Sequence, residues 1–110
     1  MRELTLKDNE RQALMSLKEA LSKKIVLLDY RLFGSKARGD ASPDSDIDIM
    51  IEVDDYNPEV ESLIDDLTFD TNLKYDCFIT TIIFGRKELE EGSLGESPVY
   101  KAIEREGIRV

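Results

Sequence analysis

The chain has 110 residues, 41% apolar and 35% charged, with a formal net charge of -9. These values predict one globular domain over residues 1–110, too short for two cores and too apolar for a disordered segment. With no histidine and one cysteine, Cys77, zinc sites, Ser-His-Asp or Cys-His nucleophile systems and intrachain disulfides drop out. Any metal must be a hard ion held by oxygen, which means Mg²⁺, Mn²⁺ or Ca²⁺. The acidic balance disfavours duplex DNA or RNA as main ligand, although a small anion can still bind where local donors converge. No apolar h-region opens the chain and no stretch nears the ~20 apolar residues of a bilayer span, so the expectation is a soluble cytoplasmic protein with no membrane contact.

A first helix is predicted from about Thr5 to Lys23. Thr5 and Asp8 have capping-box spacing, and Ala13, Leu14, Leu17, Ala20 and Leu21 form an apolar stripe. Ile25 to Phe33 reads as a strand interrupted by Asp29 and Arg31, and Gly34-Ser35 ends it. A short helical turn over Lys36–Asp40 leads into a loop reaching Ser45, with Ser42 and Pro43 as turn residues. Asp46 to Val53 is the clearest strand. Ile47, Ile49, Ile51 and Val53 alternate with Asp46, Asp48, Met50 and Glu52, a period of two.

Asn57-Pro58-Glu59 opens a helix with an N-cap, a proline at N1 and an acid in the first turn; Val60, Leu63, Ile64 and Leu67 make its inner face. A third strand is predicted from Tyr75 to Thr81, with an extension towards Phe84. A short helix near Lys87 stops at Gly92. Ser97-Pro98 opens a last helix ending at Gly107, with Val99 and Ile103 facing inward. The order α-β-(α)-β-α-β-α-α implies a small α/β fold, a short mixed β-sheet with helices packed against it.

The chemistry concentrates at two places. Asp46 and Asp48, two apart on a strand, point to one face with Cα atoms ~7 Å apart, a spacing that serves a pair of divalent ions ~3.5–4 Å apart. Without a cation they repel. Taken alone, two such acids read equally well as a solvated strand face. Gly34-Ser35, at a strand end entering a short helix, offers backbone N–H groups and a hydroxyl to a phosphate, with Lys36 and Arg38 as nearby cations. Alone, that feature is an ordinary turn between strand and helix. The Glu88–Glu91 run reads as an exposed helix face, and Cys77 as a small core residue.

Together they form a pattern. Gly34-Ser35, ten residues, then Asp46-Ile47-Asp48 resembles the signature of the polymerase-beta-type nucleotidyltransferase superfamily. The longer strings Phe33–Gly39 and Ser45–Ile49, and the tail from Ser97 to Val110, resemble its minimal nucleotidyltransferases, often encoded beside a helical HEPN-type toxin as the antitoxin. The resemblance covers nearly the whole chain.

It implies Mg²⁺-dependent transfer of a nucleoside monophosphate, with AMP from ATP the leading case, to an acceptor hydroxyl. Two Mg²⁺ ions, with Mn²⁺ as an alternative, would be held by Asp46 and Asp48. The family's third acid lies on a later strand, and Asp76 matches it in Lys74-Tyr75-Asp76-Cys77-Phe78-Ile79; by the resemblance Asp76 would complete one metal site and help activate the attacking hydroxyl. Gly34 and Ser35 would bind the β- and γ-phosphates, supported by Lys36 or Arg38. The expected partners are a nucleoside triphosphate and a HEPN-type protein. The competing reading is a non-catalytic nucleotide-binding antitoxin or adaptor that acts by protein contact.

Overall fold

In the computed structural model, which describes residues 6–110, the first helix α1 runs Asp8–Lys24. The Thr5 cap expected for it lies outside the described residues. At its start the Glu10 carboxylate accepts the Lys7 N–H at 2.9 Å, satisfying one of the orphan donors of the first turn. Ala13, Leu14, Leu17 and Leu21 are buried. The chain continues as β1 (Leu27–Phe33), α2 (Gly34–Arg38), β2 (Ile47–Val53), α3 (Pro58–Tyr75), β3 (Ile79–Gly85) and α4 (Arg86–Glu90). A 3-10 turn at Leu94–Glu96, α5 (Pro98–Glu106) and β4 (Ile108–Arg109) complete it.

The four strands form one mixed sheet in the order β3-β2-β1-β4. The short α2 connection returns β2 antiparallel to β1, whereas the α3 crossover brings β3 back parallel to β2. Ile47, Ile49, Ile51 and Val53 of β2 are buried in one cluster with the α1 stripe and Ile64 of α3. The period of two therefore does what the sequence implied on this face.

The opposite face departs from expectation. Met50 is fully buried with Phe84 and Ile103, and Phe33 and Tyr100 pack against them, so α5 covers this face too. Only the entry end of β2 leaves its acidic side open. Ile103 faces inward as expected, but Val99 is 43% exposed. Asp29 and Arg31 do not break β1. The Asp29 carboxylate, 8% exposed, accepts from Arg31 Nε at 2.6 Å and Arg109 Nε at 3.1 Å, so the charges satisfy one another.

Both helix caps read from the sequence form. Asn57 Oδ1 accepts the Val60 N–H at 2.9 Å and Ser97 Oγ accepts the Tyr100 N–H at 3.2 Å. The third strand begins later than expected, because α3 continues through Tyr75 and ends at Asp76 in a left-handed conformation, φ 53° and ψ 57°. The Asp76 and Cys77 N–H groups both converge on the Asn72 carbonyl, a helix-ending arrangement. The Asn72 side chain accepts the Ile79 N–H at 2.8 Å and donates to the Ile79 carbonyl at 3.1 Å. Asn9 of α1 donates to the Tyr75 carbonyl at 2.8 Å. These bonds fix the turn that Tyr75, Cys77 and Phe78 had disguised as strand. The two-residue β4, pairing Leu32 with Ile108 and Arg31 with Arg109, is too short to leave a pattern in the sequence.

Candidate active site

The site is built at the edge where β1 ends and β2 begins. Phe33 is the register partner of Asp48, so the turn that follows Phe33 meets that carboxylate. Gly34 takes φ 73°, a left-handed conformation that L side chains rarely adopt. A Cβ built on Gly34 would fall on Asp48 Oδ2. Glycine is therefore required twice, by the backbone angle and by the carboxylate lying against it. The other Asp48 oxygen, Oδ1, accepts the Thr80 hydroxyl at 2.9 Å, because β3 pairs with β2 in the register Asp48 to Thr80. Asp48 is thus half-buried between the start of α2 and β3.

Asp46 is exposed and lies one residue before β2. The Ile47 N–H beside it donates to the Phe78 carbonyl at 2.8 Å. Ser35 follows the glycine in α2 and is half-buried; its carbonyl accepts the N–H groups of Gly39 and Asp40 and closes that helix. Gly34, Ser35, Asp46 and Asp48 are therefore brought to one end of the sheet.

Of the other expected site residues, Lys36 and Arg38 are turned to other partners, and Asp76 lies on the wall of a neighbouring groove. Lys36 is 1% exposed, and its ammonium pairs with Glu10 of α1 at 3.3 Å. That helix covers the face of β2 opposite Asp48, so the structure does not deliver Lys36 to the acid pair. Its reason is local: α2 turns Lys36 and Ala37 inward, and a buried ammonium needs the buried carboxylate. Arg38 is drawn to Asp40 at 3.2 Å and Glu106 at 3.1 Å, and hydrogen bonds to these two acids hold its pKa above the usual arginine value. Asp76 is exposed at the left-handed turn before β3, not on the strand. It lines a groove of about 250 Å³ with Lys7, Glu10, Pro43, Asp44, Ser45, Cys77 and Phe78. In that wall the Cys77 thiol is pushed above its ordinary pKa by burial and then by the charges of Glu10 and Asp76, which keeps it protonated and unreactive.

A nucleotidyltransferase domain family matches residues 14–105. The chain belongs to that family. This nucleotidyltransferase is 35% identical over 88 aligned residues to a Methanocaldococcus jannaschii protein named as a candidate protein adenylyltransferase, covering 74% of this chain and 88% of that protein. A solved structure described as a candidate minimal nucleotidyltransferase superposes with a TM-score of 0.64 at 19% identity, covering 96% of this chain and 99% of that one. That second likeness supports the fold: a mixed four-stranded sheet with helices on it.

Among the described residues no three acidic or cysteine side chains converge. The strand position flush with Asp48 on β3 is Thr80, not an acid. Two carboxylates on one rigid edge nevertheless fit Mg²⁺, which is held through one or two carboxylates with substrate phosphates and water completing its shell. Thr80 escaped the sequence reading, since only the parallel register of β2 and β3 shows that its hydroxyl meets Asp48.

Proposed function

We propose that this nucleotidyltransferase moves a nucleoside monophosphate, AMP from ATP in the leading case, onto a hydroxyl of a partner protein. The observation that carries the reading is the contact between the Gly34 turn and the Asp48 carboxylate, which joins a phosphate-receiving backbone to an acid pair. Gly34 and Ser35 would receive the β- and γ-phosphates, while Asp46 and Asp48 would hold the divalent ion, Mg²⁺ by preference. When bound, that ion neutralises the phosphates and stabilises charge on the entering and leaving oxygens. In the transfer the acceptor oxygen bonds to the α-phosphorus and the bond to the bridging oxygen of pyrophosphate breaks. Asp76, across the groove, takes the proton from the acceptor hydroxyl. Lys36 serves the fold through Glu10, and Arg38 stays on its two acids.

Two things support a protein acceptor. The net charge of -9 repels nucleic acid, and the relative from Methanocaldococcus jannaschii is named as a protein adenylyltransferase candidate. By resemblance the partner is a HEPN-type toxin, blocked when a charged nucleotide is added near its active site, and the chain is the antitoxin. The absence of three converging acids among the described residues favours a second reading, a nucleotide-binding antitoxin that acts by contact alone. Co-expression with the genomic neighbour, followed by mass spectrometry of that neighbour, separates them. Transfer adds the mass of a nucleotidyl group that disappears with Asp46→Asn/Asp48→Asn. An unmodified partner that is still inhibited supports contact.

A further inference from the structure

Phe78 is the most exposed large apolar side chain among the described residues, at 74%, and it stands beside the acid pair. Its carbonyl accepts the Ile47 N–H at 2.8 Å, which places it one residue before β3 and level with Asp46, itself one residue before β2. Cys77 and Ile79 are buried while Phe78 and Thr80 are exposed, so strand alternation puts Phe78 on the same face as Thr80, whose hydroxyl touches Asp48. Its backbone cannot drift, because the next residue is clamped at both N–H and C=O by Asn72. The ring also lines the groove of about 250 Å³ that runs past Pro43 and Ser45. A bare phenyl ring held rigidly in water has no packing role in the fold.

We propose that Phe78 is the stacking platform for the nucleobase of the nucleoside triphosphate. This rests on the triphosphate site proposed above and adds what holds the base. With phosphates at Gly34-Ser35 and the acid pair, the remaining planar part of the ligand needs an apolar face within reach, and Phe78 supplies it next to Asp46. A phenyl face stacks on any base, so the platform contributes affinity with little selection between adenine and guanine. Met15, Phe69 and Leu73, also largely exposed, are on α1 and α3, in the layer covering the opposite face of the sheet.

The chain contains no tryptophan, so Phe78→Trp installs a single fluorescent reporter at the rim. Its emission should change on titration with ATP and Mg²⁺, and stay unchanged with inorganic tripolyphosphate and Mg²⁺. Calorimetry on Phe78→Ala should show ATP affinity reduced from about fivefold to more than a hundredfold, with tripolyphosphate affinity retained. Phe78→Ala binding ATP within twofold of the parent, or losing tripolyphosphate in step with ATP, overturns the stacking role and leaves the triphosphate site standing. A parent chain that binds neither ligand removes the triphosphate site and the platform with it.

Discussion

Replacing Gly34 by alanine puts the active-site geometry under direct test. The left-handed backbone at φ 73° is strained for any L residue, at roughly 1–2 kcal/mol. The added methyl also falls on Asp48 Oδ2, so the carboxylate must rotate away and give up its bond to the Thr80 hydroxyl. At this exposed edge that loss is worth about 1 kcal/mol. The total, about 2–3 kcal/mol, lies within the stability of an ordinary domain and lowers the melting temperature by roughly 10–15 °C. Gly34→Ala should therefore fold at room temperature and still lose transfer, since an acid moved by ~1 Å from its productive position costs about 100-fold in rate.

Gly39 supplies the control. It also has positive φ, 84°, but closes the far end of α2. Gly39→Ala meets the same backbone strain about one helical turn away from Asp48 and should retain most of the turnover. Urea denaturation gives the two stabilities, and single-turnover transfer from labelled ATP gives the rates. Equal activity losses in the two variants, or full activity in Gly34→Ala, would refute the claim that the glycine exists to accommodate Asp48.

Asp46→Asn with Asp48→Asn should abolish transfer and leave the thermal melt essentially unchanged; Mg²⁺-dependent turnover in the folded double variant would remove both acids from the metal. Lys36→Met should leave the Glu10 carboxylate buried without its countercharge, costing about 3–5 kcal/mol, and Glu10→Gln in the same chain should recover most of that in a denaturant titration. Asp76→Ala should cut turnover while calorimetry shows ATP still bound, and a loss of ATP binding equal to the loss of rate would contradict a proton-accepting role. Glu52 sits in β2 opposite Asp29, and burial, followed by that neighbouring charge, raises its pKa above 4.5. The folded state then holds its proton more tightly, so ionised Glu52 costs stability as pH rises through 4.5 and past the folded pKa. Glu52→Gln should be the more stable protein at pH 7, with the advantage fading towards pH 4 in chemical melts.

The parts of the fold legible in the sequence are those where one physical cause dominates. Ile47, Ile49, Ile51 and Val53 alternate because one face of β2 must meet α1 and α3. Asn57-Pro58 and Ser97-Pro98 announce helices because an N-cap oxygen and a proline at N1 solve the same terminus problem at both places. The third strand was misplaced because two causes competed. Tyr75, Cys77 and Phe78 have β-forming side chains, yet the helix they follow is ended by bonds from Asn9 and Asn72, partners with no signature in a linear pattern. Met50 was read with the open acidic face because alternation assigns faces, while the cover over a face comes from α5, about fifty residues later.

The site divides along the same line. Gly34, Ser35, Asp46 and Asp48 could be paired from spacing because they are adjacent in a β-turn-β unit, where sequence distance and spatial distance stay coupled. Lys36 is expected there for its charge, and Asp76 for its charge and its match to the family's third acid. Charge does not set direction: α2 aims Lys36 at a buried acid on another helix, and the end of α3 holds Asp76 at the groove wall. The side chain that hydrogen-bonds Asp48 is the neutral hydroxyl of Thr80. A hydroxyl at that position fixes one carboxylate oxygen without adding a third negative charge to the two that already repel before metal binds. Thr80→Asp is the consequence to test. If Thr80 is there to orient Asp48, an acid in its place should destabilise the metal-free chain by like-charge repulsion and restore that loss when Mg²⁺ is added. Thermal melts with and without Mg²⁺ measure it, and a variant equally stable in both conditions would show that the β3 position does not face the metal at all.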